Sequence, residues 1–194
     1  MGRLVKSKDP MGYVLTDYKS SGSFKVAKWL GIKSETVEET LLLDGKPILL
    51  KSGPNMGMPR TKKHQVITTD PSQIDIKDVT LQLNRYRIFY EQKGFHITRL
   101  QVMAIPRDGG TWLAKKRGIT ESFYVIPIKR LPNNVVLKFY KHLSEEVNEA
   151  FKTGYARPCD NWESWDKGRC EKWCEVKDAC VEMSKQNGET WGIL

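Results

Sequence analysis

The apolar positions of this chain change period several times, and each change marks an element. Residues 13–19, Tyr-Val-Leu-Thr-Asp-Tyr-Lys, are rich in β-branched and aromatic side chains. With residues 2–5 and the Lys6-Ser7-Lys8-Asp9-Pro10 turn between them, they predict a β-hairpin. A sheet whose first strand opens at residue 2 implies a natural domain that begins further upstream. Ser20 to Ser23 read as a turn, residues 24–30 as a short helix stopped by Gly31, and residues 41–50 as an apolar hairpin around Asp44-Gly45. Residues 51–72 show the least regularity. Gly53, Pro54, Gly57, Pro59 and Pro71 are mixed there with Arg60, Lys62 and Lys63, which predicts an exposed basic loop, either a solvated linker or a contact for DNA.

The clearest helix follows Asp78, an expected N-cap. Val79, Leu83, Tyr86 and Tyr90 recur at helical spacing until Gly94 ends the pattern. Residues 96–105 alternate as a strand, Arg107-Asp108-Gly109-Gly110 turn, residues 111–114 are expected to pair back, and residues 123–128 predict another strand. A second helix starts after Asn133 or Asn134. It carries Val136, Phe139, Tyr140, Leu143, Val147 and Phe151 on one face and stops before Gly154. Strands alternating with helices define an α/β chain without internal repeats.

At 194 residues the chain has room for one sizeable core. Its 32 Lys and Arg against 23 Asp and Glu leave a formal charge of +9, which makes nucleic acid the leading class of partner. No stretch approaches the roughly 18 apolar residues of a spanning helix, and no apolar leader opens the chain, so the expectation is a cytoplasmic protein with no membrane partner. Lys6 stands where a myristoylation signal needs Ser or Thr. No Walker loop, G-x-G-x-x-G turn or nucleophile elbow is present, so nucleotide-driven and acyl-transfer chemistry find no support.

Two groups of residues carry candidate chemistry. Asp17 and Lys19 lie two apart on a predicted strand and so share a face. A carboxylate there suits a hard divalent cation, and a neighbouring ammonium can orient water and offset charge on a phosphorane-like transition state. Gln82 and Tyr86 are i and i+4 on the clear helix, on neighbouring turns of one face. Either pair alone is unspecific: Asp-x-Lys is usually a surface ion pair, and Tyr86 also belongs to the apolar stripe. The second group is Cys159, Cys170, Cys174 and Cys180, spaced C-x10-C-x3-C-x5-C near Trp162, Trp165 and Trp173, with no cysteine earlier in the chain. In a reducing compartment four clustered thiols point to a 4Fe-4S cluster or a zinc ion. His64, His96 and His142 are scattered and receive no role. Lys115, Lys116 and Arg117 suit phosphate contacts or a solvated loop equally.

A strand reading Gly-Tyr-Val-Leu-Thr-Asp-Tyr-Lys-Ser, a helix carrying Leu81-Gln82-Leu83-Asn84-Arg85-Tyr86, a further strand and C-terminal cysteines occur here in that order. Together they resemble the RecB-like branch of the PD-(D/E)XK nucleases, which includes phage recombination exonucleases and CRISPR-associated and replicative nuclease domains with iron-sulfur clusters. The resemblance covers most of the chain. It implies a restriction-endonuclease-like core with a central mixed sheet flanked by helices over residues 1–154, and a four-cysteine segment packed on it over residues 155–194. It implies Asp17 and the Tyr18 carbonyl as ligands of Mg2+ or Mn2+, Lys19 as the catalytic lysine, and Gln82 and Tyr86 as the helix motif placing water and DNA backbone. It tips the cysteine site toward 4Fe-4S over Zn2+. The implied activity is DNA phosphodiester cleavage, exonucleolytic on ends or single strands, in phage recombination or a related DNA-processing pathway, with a protein partner from such a pathway.

The family pattern also has an Asp on the preceding strand and usually a His on an upstream helix. Here residues 2–5 stand in that place, with no carboxylate before Asp9, which reads as a turn residue. The departure implies either an N-terminally truncated nuclease or a degenerate one. The competing expectation is a non-catalytic nucleic-acid-binding module with a zinc or iron-sulfur site.

Overall fold

A computed structural model describes residues 3–6, 12–164 and 167–186. Asp9 with the rest of its turn, and Trp165, lie outside the described residues. The order of elements begins β1 (Arg3–Lys6), β2 (Tyr13–Ser21), α1 (Ser23–Leu30), β3 (Ile32–Thr40), β4 (Leu42–Leu43), β5 (Lys46–Pro47), β6 (Thr61–Thr69) and α2 (Lys77–Gln92). It continues with β7 (Ile97–Pro106), α3 (Trp112–Lys116), β8 (Tyr124–Ile128), α4 (Asn133–Thr153), α5 (Asn161–Ser164), α6 (Gly168–Lys172) and α7 (Lys177–Gln186). The chain divides into two compact units, residues 1–137 and 138–194, so most of α4 goes with the cysteine segment.

The first unit is an α/β arrangement built on a mixed sheet of order β1-β2-β7-β8. β1 is antiparallel to β2, β7 is parallel to β2, and β8 is antiparallel to β7. The β1–β2 hairpin and the two later strands stand as the sequence predicts. A parallel pair needs a long crossover, and between β2 and β7 the chain supplies α1, the β3–β6 ribbon and α2. Leu15, Val79, Leu83, Leu100, Val102 and Ala104 close one apolar cluster between sheet and helices. α2 is tied to the β8–α4 connection by two buried polar side chains. Asn84 donates to the carbonyls of Thr80 and Lys129 and accepts from Leu131 N–H. Arg87 reaches Glu91, the Leu131 carbonyl and Asn133.

Three expectations need correction. Residues 51–72 are not one loop, because β6 occupies Thr61–Thr69 and pairs along its whole length with β3. Both strands are largely exposed, and opposite charges meet across the ladder, as at Lys63–Glu38, 2.6 Å apart. The Glu38 carboxylate holds the Lys63 ammonium above its ordinary pKa. Residues 111–114 do not pair back; α3 begins there, capped by Thr111, whose hydroxyl accepts from Ala114 N–H. α2 is capped at Ile76 and not at Asp78, which sits inside the first turn, where its charge favours the helix N-terminus.

The second unit is helical. Arg157 anchors it, donating to both carboxylate oxygens of Glu146 on α4 and of Glu163 on α5, and these partners hold its guanidinium well above the ordinary pKa. Of the apolar stripe expected along α4, Val136 is buried within the first unit, while Leu143, Val147 and Phe151 are exposed.

Candidate functional site

β2 passes from a buried first half to an exposed second half. In its parallel register with β7, Leu15 faces Leu100, Asp17 faces Val102 and Lys19 faces Ala104. These side chains share one face of the sheet, since strand neighbours alternate sides. Leu15, Leu100, Val102 and Ala104 are core residues, and the Val79 and Leu83 side of α2 packs on them. Asp17 therefore ends the buried layer, 1% exposed, and Lys19 stands one step further out with a side chain 28% exposed.

Packing of α2 on this face brings the four candidate residues into one chain of contacts. The Lys19 ammonium lies 3.1 Å from Asp17 Oδ2 and donates to Gln82 Oε1 at 2.6 Å. Gln82 Nε2 in turn donates to the Tyr86 hydroxyl at 2.9 Å. Lys19 and Gln82 are 63 residues apart in sequence, so this contact is tertiary. An ammonium has three donors and a tyrosine hydroxyl keeps its own proton while accepting. Lys19 and the Tyr86 O–H thus keep donor capacity that could meet an anion. Gln82 fixes both: its amide orients Lys19 with the oxygen and Tyr86 with the nitrogen.

Asp17 and the Tyr18 main chain offer oxygen donors, yet a hard cation of the Mg2+ type prefers six oxygens with more than one carboxylate. Among the described residues no group of three or more His, Cys, Asp or Glu is gathered as a metal-binding set. Asp17 with Tyr18 alone does not make such a site, and Asp17 already faces the Lys19 ammonium.

The four cysteines form no disulfide. Cys170 lies on α6, Cys180 on α7, and Cys159 and Cys174 in the connections. Burial pushes the Cys180 thiol up, and the Cys174, Cys159 and Cys170 thiols push it further. Burial likewise raises Cys159, helped by Glu163 and Cys170. Among the described residues the four are not gathered as a metal-binding set. Four soft donors fit a cluster or a zinc ion in kind and number. Cys159 follows the Arg157 clamp by two residues, which ties its end of the segment to α4. Trp162 packs on Phe139 at 6.3 Å, whereas Trp173 is exposed.

Lys115 and Lys116 occupy the last turn of α3 and Arg117 its C-cap, so the basic run ends a helix. Sequence reading missed the network joining this run to α1. Asp108 accepts from the Ser23 backbone N–H at 2.6 Å and from its hydroxyl at 2.7 Å, and Arg117 donates to the same hydroxyl at 2.9 Å. The nearest sequence signal is the Arg-Asp-Gly-Gly turn, but the pairing spans 85 residues and has no local mark.

No helix of the described residues is long and apolar enough to cross a membrane. No protein-family model, curated protein or solved structure matches this chain.

Proposed function

We propose that this chain is the core of a metal-dependent DNA nuclease of the RecB-like PD-(D/E)XK kind, hydrolysing phosphodiester bonds in recombination or DNA processing. The observation that carries the reading is the contact chain Asp17–Lys19–Gln82–Tyr86, in which residues from β2 and α2 are joined by one ion pair and two hydrogen bonds at the exposed end of β2. Lys19 and Tyr86 present a charge-assisted N–H and an O–H to a phosphate oxygen. Both strengthen as negative charge builds on that oxygen. Gln82 holds them in place, so little reorganisation accompanies the reaction. Asp17 pairs with the Lys19 ammonium and helps hold it in place. Mg2+ or Mn2+ is the cofactor this reading calls for, with Asp17 and the Tyr18 carbonyl among its ligands and further carboxylate oxygen supplied from elsewhere. Cys159, Cys170, Cys174 and Cys180 hold a 4Fe-4S cluster, or alternatively zinc, which staples the C-terminal segment.

One observation favours a second reading, a nucleic-acid-binding module without catalysis: among the described residues no group of three or more His, Cys, Asp or Glu is gathered as a metal-binding set. Cleavage of end-labelled single-stranded and duplex DNA with Mg2+ or Mn2+ separates the two. The nuclease reading expects cleavage that falls about 10²- to 10³-fold in Lys19→Ala, with DNA binding retained. DNA bound but uncut under both metals decides for the binding module.

A further inference from the structure

Away from the Lys19 site, α1, α3 and the β3–β6 ribbon enclose an open groove of about 370 Å³. Phe24 and Lys28 line it from α1, Lys116 and Arg117 from the end of α3, and Ser34 and Gln65 from the ribbon. No carboxylate lines it. Among the described residues neither Lys28 nor Lys116 has an ion-pair partner, and Arg117 spends only part of its guanidinium on Ser23 and Asp108. Two cations without an ion-pair partner beside a third only partly spent favour an anion.

Each cation lies beside an aromatic ring, although Lys116 is itself exposed. Lys28 Nζ and Arg117 Cζ lie over the Phe24 ring, 5.4 and 5.6 Å from its centre, and Lys116 Nζ lies 5.1 Å from the Trp112 ring centre. The walls are fixed. Gly31 ends α1 with φ +66°, and a Cβ there would meet the Asp70 carbonyl at 2.5 Å. Gly118 follows α3 with φ +78°, and its Cβ would meet Ile67 and Ile32 at 2.8 and 2.9 Å. Ser34 donates to the Lys116 carbonyl and accepts from Gln65, joining α3 to the ribbon.

Beside the charges stand two exposed aromatic rings, Phe24 at 59% and Trp112 at 73%. Cations tracking a backbone beside open aromatic faces are what an unpaired nucleic-acid strand meets, because its bases are free to stack, whereas duplex bases are not. Phe24 follows Lys19 by five residues, so at most about 18 Å of backbone separates them. A strand in the groove lies within a few nucleotides of the Lys19 site.

The geometry points to this groove as a binding track for single-stranded DNA, with Lys28, Lys116 and Arg117 on phosphates and Trp112 and Phe24 on bases. As a feed to Lys19 it rests on the nuclease reading; as a binding site it stands alone. The test is fluorescence anisotropy of the full chain with a labelled oligothymidylate on the order of 20 nucleotides and with the matching duplex, across a salt series. The single strand should bind more tightly than the duplex. Lys28→Gln with Lys116→Gln should weaken it about 10-fold and lower the slope of log affinity against log salt by about 1.4, while Lys28→Arg with Lys116→Arg restores binding. Trp112→Ala should weaken it about 5- to 20-fold with the slope unchanged. Absence of single-strand binding, or equal losses from Lys141→Gln with Lys152→Gln on α4, overturns the track, as does a mononucleotide that competes as well as the oligomer. Groove variants that bind like the parent while Lys19-dependent cleavage persists sink the track alone. Binding through the groove without cleavage sinks the nuclease reading alone.

Discussion

Asp108 shows how one side chain can join two distant elements. α1 has Gly22 as N-cap and so no capping side chain of its own. Asp108, at the turn after β7, takes that part by accepting from Ser23 N–H and Oγ–H, and Arg117 closes the network. The Ser23 hydroxyl and backbone bonds hold the Asp108 carboxyl below its ordinary pKa. A depressed carboxylate pKa means the native state prefers the charged form. The stability it contributes is present above the ordinary carboxylate value and is lost as pH falls from about 4 through the lower native value. Asp108→Asn should cost about 1 kcal/mol at neutral pH, as loss of a good cap does, and should flatten the acid limb of the stability profile. Urea unfolding between pH 3 and 7, compared with the parent, checks both; parallel profiles would mean Asp108 is not the titrating group.

At the scale of elements, α3 is the piece whose position depends most on one residue. Gly118 leaves α3 in the left-handed region with its Cα against Ile32 and Ile67 of the ribbon. Alanine there adds a conformational penalty and pushes on two branched side chains. Gly118→Ala should cost about 2–3 kcal/mol and lower the melting temperature by roughly 5–10 °C. Thermal unfolding measures it, and a shift under 2 °C would show that the ribbon yields without cost. The same logic explains why α2 tolerates no slip. Asn84 and Arg87 bond to carbonyls of the β8–α4 connection, which fixes the rotation of α2 and with it the direction in which Gln82 points.

At the scale of the molecule, the +9 charge is not spread as a single-sign coat. β3 and β6 neutralise each other across the ribbon, and Arg157 is matched by Glu146 and Glu163. At the groove of the first unit, Lys28 and Lys116 stand without an ion-pair partner among the described residues. The second unit depends on a different kind of bond. Beyond α4 its helices are short, and α6 and α7 bury little, so a metal joining the four thiols would supply the cross-link that packing does not. On the proposed reading the purified chain carries iron or zinc. Cys170→Ser with Cys174→Ser should release it and open residues 155–186 to limited proteolysis while residues 12–137 stay resistant. Metal analysis that finds neither iron nor zinc in the parent would remove the cofactor from the proposal.

The strands around Asp17, the two long helices and the cysteine cluster were legible in the sequence because each leaves a local mark. β2 and β7 bury one face and show it as β-branched density, α2 shows a 3.6-residue stripe, and cysteine spacing is visible without a fold. β3 and β6 left no such mark, because a largely exposed ribbon shows little apolar period and its opposite charges sit on separate strands. α3 was hidden behind a glycine turn that resembles a hairpin. The Asp17–Lys19 and Gln82–Tyr86 pairs were each readable as short-range spacings. That Lys19 touches Gln82 was decided only by tertiary structure: the parallel register of β2 with β7, and the rotation of α2 set by Asn84 and Arg87, bring together residues whose sequence separation carries no periodic signal. The groove of Phe24, Lys28, Lys116 and Arg117 is likewise tertiary, since its cations become one site only when α1 and α3 are pinned to the ribbon at Gly31 and Gly118.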